Sequence, residues 1–206
     1  MTRSEIDAFF ASLAPNAVYG LCDQALLDAF NLSLESYVER CRTLGVSLIQ
    51  YRCKAADADT AAERLKTLRT LWDGVLVIND RWRLHTLCDG LHVGQDDLLA
   101  FGSDPLRAAA ALREEVGEDC IIGLSTHNAL EIDIANRLPV DYIGLGALRA
   151  TGTKEDAAVL GEELDKLSAA SRHPVAAIGG VTFKDTFVHA RMRVMGSALM
   201  KEDAWK

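Results

Sequence analysis

Eight short apolar runs, each followed at once by polar residues, most strongly constrain what this chain can fold into. They lie at residues 18–22, 46–51, 75–78, 91–93, 121–124, 142–145, 175–178 and 194–195. Most intervals between them carry helix signals. Ser33 is a natural N-cap for a helix over 33–44, with Gly45 as its stop. Asp104 and Pro105 open a helix that Gly117 ends. Further helices are predicted at 59–71, 81–88, 128–138, 162–170 and 184–190, and one over 4–13, capped by Ser4, precedes the first strand. Parallel strands need such crossovers. Runs that are continuously apolar suit a sheet buried on both faces. The expected fold is therefore α/β: a single (β/α)8 TIM barrel over residues 1–206, with 1–15 an N-terminal extension or helix. An open doubly wound sheet is the alternative, but eight units and no GxGxxG fingerprint count against it.

Composition bounds the function. With 49% apolar residues and 206 positions, one globular core is expected. No stretch nears the roughly 18 uninterrupted apolar residues of a membrane span. The first residues, MTRSEIDAFFASLAP, carry acids inside their apolar part and do not read as a signal peptide. The five cysteines lack CxxC spacing, and reduced, mostly buried thiols are expected. Together these point to a cytoplasmic protein. A net charge of -8 argues against a general nucleic-acid binder but leaves anionic small ligands open.

The segment VLVINDRWRLHTLCDGLHVGQDD, residues 75–97, reads as strand, helix, strand. Functional groups of a parallel α/β fold collect where strands end. Asp80 and Asp97 follow two successive strands, and such a pair can hold Mg²⁺. The plain alternative is helix capping by each. Gln50, Arg52 and Lys54 sit at alternate positions at the end of the second strand and so share one face. Asn79 ends the third strand, Ser125 and His127 the fifth. Thr151, Thr153 and Lys154 follow the sixth, Gly179–Gly180 the seventh and Ser197 the eighth. Arg52, Lys54, Lys154 and the two aspartates suit a diphosphate whose oxygens gain charge as a bond to them breaks. The glycine pair and Ser197 suggest a second anion site. TGTK is not a P-loop, since the required Gly-Lys-Thr order is absent.

In order, QYRCK, VIND, DGLHVGQDD, GLSTH, DYIGLG, TGTK and AIGGV resemble the motifs of the thiamine-phosphate synthase (thiamine-phosphate pyrophosphorylase) family over about residues 18–199. The resemblance implies a transferase that joins hydroxymethylpyrimidine diphosphate to thiazole phosphate and releases pyrophosphate by a dissociative route. It implies Gln50, Arg52, Lys54, Asn79 and Lys154 at the pyrimidine diphosphate, and Asp80 and Asp97 at Mg²⁺. Ser125 would lie beside the reacting groups. Thr151, Thr153, Gly180 and Ser197 would hold the thiazole phosphate. Arg52, Lys54, Ser125 and Lys154 are the expected catalytic set. Partners are then small-molecule substrates, with neither nucleic acid nor membrane, and a homodimer is compatible with the sequence.

The chain departs from the family pattern in three places: the first strand ends Gly-Leu-Cys-Asp rather than in the more usual form, the segment from Val181 to Met192 is shorter than usual, and one loop differs. The family usually has Gly-Pro and an aromatic before Thr-x-Thr-Lys, whereas here the stretch is GALRATGTK. Arg149 takes the aromatic position and is expected to face the thiazole side, pairing with a phosphate or carboxylate. Two other readings stay open. One is a thiazole tautomerase of the same fold, with His127 as its acid–base group. The other is a non-catalytic binder of thiamine intermediates.

Overall fold

The computed structural model describes residues 1–150 and 159–201. Eight parallel strands pair in chain order, and β1 closes on β8. They are β1 (Ala17–Asp23), β2 (Val46–Arg52), β3 (Val75–Asn79), β4 (Gly90–Val93), β5 (Ile121–Thr126), β6 (Tyr142–Leu145), β7 (Val175–Ala177) and β8 (Met192–Met195). The expected (β/α)8 barrel is thus the observed one. Among the described residues, no helix is long and apolar enough to cross a membrane.

Strand alternation sorts the core into two clusters. Tyr19, Leu48, Val75, Val77, Ile121, Tyr142, Ala176 and Met192 fill the barrel interior. Ile49, Leu76, Ile78, Leu91, Ile122, Ile143 and Met195 pack outward against the helices. The inward phase continues up β2 from Leu48 to Gln50 and Arg52, and up β5 from Ile121 to Gly123 and Ser125. Polar side chains therefore replace apolar ones only in the upper layers.

Helix α1 (Arg3–Ser12) precedes the first strand, and the outside is covered by α2 (Gln24–Ala29), α3 (Leu34–Thr43), α4 (Ala58–Leu71), α5 (Gln95–Leu99), α6 (Pro105–Val116), α7 (Ala129–Ala135), α8 (Glu163–Ser168) and α9 (Ser197–Met200). Several differ from expectation. Helix α1 is capped by Thr2, not Ser4, through a reciprocal capping box with Glu5. Asp57 caps α4, which starts at Ala58, one residue ahead of the expected start. Residues Trp82–Leu87 form a 3₁₀ helix rather than an α-helix. No helix occupies 184–190, because the Asp165 carboxylate accepts from the backbone N–H of Val188, His189 and Ala190. Asn16 ties down both backbone groups of Phe187 as well.

Helix α1 does not join the outer ring. It brings Ile6, Phe9 and Phe10 against the interior cluster, with the Phe10 ring 5.7 Å from Tyr142. Arg3 anchors it by donating its backbone N–H to Asp119 at 2.7 Å and a guanidinium N–H to Asp141 at 2.6 Å.

Candidate active site

At the upper end of β3 the chain takes a left-handed residue, Asp80, with φ 59°. Its N–H still donates to the His92 carbonyl at 2.8 Å, so the β3–β4 ladder runs one residue past β3. The Asn79 amide donates to the Asp80 carboxylate at 2.5 Å. Asp97 lies in the first turn of α5, whose N-cap is Gly94. A side chain at Gly94 would have its Cβ 2.9 Å from the Asp97 carboxylate. Both aspartates line one cavity of about 300 Å³ with Arg81, Trp82, Val93 and Phe101. Burial, and then the negative charge of Asp97, push the Asp80 carboxyl above its ordinary range, with Lys54 and Asn79 pulling the other way. Neither aspartate caps a helix with its side chain: the 3₁₀ helix has no side-chain cap, and neither does α5. Two carboxylates pressed together and short of positive charge are a fitting partial shell for Mg²⁺. That ion commonly takes one or two carboxylates and completes its sphere with phosphate oxygens and water. Among the described residues no group of three or more His, Cys, Asp or Glu gathers as a metal set. The remaining ligands would then have to come from substrate and solvent.

The end of β2 carries the next groups. Arg52 forms a hydrogen-bonded ion pair with Asp23, a residue 2% exposed at the end of β1. Asp23 also caps α2 through the Leu26 N–H. One carboxylate thus fixes both a helix start and the Arg52 guanidinium. Gln50 is 3% exposed, and its Nε2 finds no hydrogen-bond partner among the described residues. Lys54 is exposed in the following loop. Arg81, next to Asp80, donates to the carbonyls of Cys53 and Ala56, which flank Lys54 in sequence. The loop with the cation is thereby fastened to the strand end with the carboxylates.

Ser125 stands on the upper part of β5. Its Oγ is 3.0 Å from His92 Nε2, and its carbonyl accepts from the Gln95 amide at 2.6 Å. His92 Nδ1 is 3.0 Å from the Tyr142 hydroxyl, which is 2.8 Å from that of Tyr19. Glycines make room for this ring. The strand register places His92 beside Gly123, and Gly123 beside Tyr142. A Cβ at Gly123 would fall 2.5 Å from His92 Nδ1 and 2.2 Å from the Tyr142 ring. His127, two residues on from Ser125, pairs its Nδ1 with Glu131 at 2.9 Å.

Across the rim, Gly179 and Gly180 both have positive φ, at 93° and 69°. A Cβ on Gly179 would meet that of Ala147 at 2.5 Å, so the β6 loop and this turn approach as only glycine allows. Arg149 lies over the turn. Its guanidinium donates to the Gly180 carbonyl at 2.8 Å and to both carboxylate oxygens of Asp185, at 2.9 and 2.5 Å. The anion it pairs with here belongs to the protein. Ser197 is exposed at the start of α9. Thr151, Thr153 and Lys154 lie outside the described residues.

A family model described as thiamine monophosphate synthase matches residues 18–202. The chain belongs to the thiamine monophosphate synthase family. The thiamine-phosphate synthase of Persephonella marina is 34% identical over 175 residues, covering 82% of this chain and 78% of that one. That of Clostridium beijerinckii is 32% identical over 199 residues, covering 91% and 90%. A solved thiamine phosphate pyrophosphorylase from Pyrococcus furiosus superposes with a TM-score of 0.72 at 27% identity, covering 91% of this chain and 89% of the other.

Within this thiamine monophosphate synthase barrel, Gln50, Arg52, Asn79, Asp80, Asp97 and Ser125 sit at the upper ends of β2 to β5 or just beyond. Gly180 and Ser197 sit above β7 and β8. Four neighbours escaped the sequence reading: Asp23, Arg81, His92 and Tyr142. Asp23 was visible as the polar end of the first run. His92 shares the inward phase of β4 with Gly90, opposite glycines on β5 and β6. That pattern was available in LHVG, IIGLS and DYIGLG.

Proposed function

We propose that the chain is a thiamine-phosphate synthase: it joins a hydroxymethylpyrimidine diphosphate to a thiazole phosphate, giving thiamine phosphate and pyrophosphate. The observation that carries this is Gln50. Its buried Nε2, without a hydrogen-bond partner among the described residues, shares a barrel mouth with Arg52, Lys54 and an aspartate pair. An orphan donor among cations suits a polar heterocycle carrying a diphosphate.

In the proposed reaction the bond between the pyrimidine methylene carbon and the diphosphate oxygen breaks, and its electron pair leaves with pyrophosphate. The thiazole nitrogen lone pair then forms the new C–N bond to that carbon. Arg52, held by Asp23, and Lys54, on the loop fastened by Arg81, stabilise the charge gathering on the leaving oxygens. Lys154 is proposed for the same task, and Asn79 for orienting the diphosphate. Gln50 would bind a polar edge of the pyrimidine, and Ser125 would face the reacting carbon. Asp80 and Asp97 would hold Mg²⁺, which when bound supplies charge neutralisation to the diphosphate. Thr151, Thr153, Gly180 and Ser197 are proposed at the thiazole phosphate.

A coupled assay with both substrates and Mg²⁺ tests this. Pyrophosphate and thiamine phosphate should appear in equal amounts. Thiazole isomerisation without pyrophosphate would instead favour the tautomerase, and binding without turnover the non-catalytic reading.

A further inference from the structure

We infer that Tyr19, Tyr142 and His92 form a one-way hydrogen-bond column that fixes the Ser125 hydroxyl as a donor toward the barrel mouth. His92 is thereby a positioning residue rather than a base. The column has four members and three links, of 2.8, 3.0 and 3.0 Å. It runs from the apolar interior to the rim. Its direction follows from its lower end. Tyr19 is 1% exposed, lies among Leu48, Val75 and Met192, and bonds only to Tyr142 among the described residues.

Each hydroxyl has one proton to place, and two directions are available. If Tyr19 donates to Tyr142, Tyr142 donates to His92 Nδ1. The ring proton then sits on Nε2 and is given to Ser125 Oγ. Every buried proton has an acceptor, and the Ser125 proton is turned to the mouth. If the direction is reversed, Ser125 donates to Nε2, Nδ1–H donates to Tyr142, and Tyr142 donates to Tyr19. The Tyr19 proton is then stranded in an apolar layer. An orphaned buried donor is the rarer deficit, because an oxygen acceptor with one unused lone pair is more easily tolerated. A doubly protonated ring strands the same proton and buries a charge as well. The first direction therefore prevails.

The chemical consequence runs against first appearances. A serine 3.0 Å from a histidine looks like a nucleophile beside its base. Here the facing nitrogen already carries a proton, so it cannot accept one from Ser125. What Ser125 offers is a fixed O–H donor for an acceptor atom on the substrate. The glycines at 123 and 144 support a built device: a Cβ at Gly144 would lie 3.1 Å from the imidazole, and one at Gly123 would overlap it.

The kinetic part of this inference rests on the transferase reading, whereas the tautomer part does not. The test uses the full chain with ¹⁵N-labelled imidazoles. The His92 signals are those lost in His92→Gln, among five histidines. The neutral ring should carry its proton on Nε2. A proton on Nδ1, or on both nitrogens, overturns the column whatever the protein catalyses. In steady-state assays His92→Leu should lower kcat on the order of 10-fold to 10²-fold with KM within about twofold, since misplacement of one group costs turnover. His92→Gln, which keeps an amide donor near the Nε2 position, should recover most of that loss. Equal turnover in His92→Leu and wild type overturns the positioning role. Should His92→Leu fail to fold, the tautomer of the wild-type ring still decides. A wild-type protein inactive with both substrates would sink the transferase reading and leave the tautomer result standing.

Discussion

Gln50 should trade stability for binding, and Gln50→Met measures the exchange. The side chain is 3% exposed, and its Nε2 meets no acceptor among the described residues. A buried donor left unsatisfied costs about 1–3 kcal/mol, which an apolar replacement of similar shape recovers. Methionine nearly matches glutamine in length and keeps the packing above Leu48. Taking the low end for a group beside an open mouth, Gln50→Met should raise stability by about 1 kcal/mol. For a chain of this length that is roughly 2–4 °C in Tm. On the proposed assignment of Gln50, the same change also removes one hydrogen bond to the pyrimidine. A net loss of about 1.4 kcal/mol is tenfold in affinity. Urea unfolding at neutral pH gives the first quantity, and calorimetric titration with the pyrimidine diphosphate the second. A Gln50→Met protein that is less stable and binds as well as wild type would refute both the orphan-donor argument and the assignment of Gln50 to the ligand.

Two further outcomes follow from the rim. Asp80→Asn removes a partly buried negative charge facing Asp97, so the metal-free protein should gain about 0.5–1 kcal/mol. Together with Asp97→Asn it should abolish any difference between pyrophosphate titrations with and without Mg²⁺; identical wild-type isotherms would defeat the metal assignment. The Arg149 hydrogen bonds, followed by those from Thr182, hold the Asp185 carboxyl down at about 2. A depressed carboxyl contributes stability above its unfolded value near 3.8, and that contribution is lost as pH falls through about 2. With Arg149 half exposed, Arg149→Ala should cost only about 1 kcal/mol at pH 7. The gap between variant and wild type should narrow as pH falls below about 4 and close only below about pH 2. A gap independent of pH would show that Arg149 acts through packing rather than through this pair.

Local signals in the sequence reached the barrel because each acted within a few residues. Ser33 does cap α3, Asp104 and Pro105 do open α6, and Gly117 does end it. The apolar runs place all eight strands to within two residues at each end. Long-range bonds account for the differences. Residues 184–190 have a helical look, yet Asp165 and Asn16 claim their backbone groups from 23 and 171 positions away. Helix α7 stops at Ala135 rather than 138, and Asn136 just beyond it turns its amide to the Ala170 carbonyl. The candidate site was legible to the same degree. Polar residues after apolar runs are local, so Asp80, Asp97 and Gln50 could be singled out. The pairings of Arg52 with Asp23 and of Arg149 with Asp185 span 29 and 36 positions and leave no local trace. His92 hid inside an apolar run, because a strand read as core hides which of its residues turns inward.

The docking of α1 has a consequence for traffic. Ile6, Phe9 and Phe10 stopper the lower mouth of the barrel, and Arg3 bolts the stopper to Asp119 and Asp141. Molecules cannot pass through the barrel as through a pipe. Whatever arrives at Gln50 and Ser125 must come and go by the upper mouth. Pyrophosphate and the larger product therefore queue at one door, and a lingering product keeps the next substrate out. Such an enzyme is slowed by its own success: it should show product inhibition competitive with the diphosphate substrate, and its turnover should follow the rate at which the doorway clears.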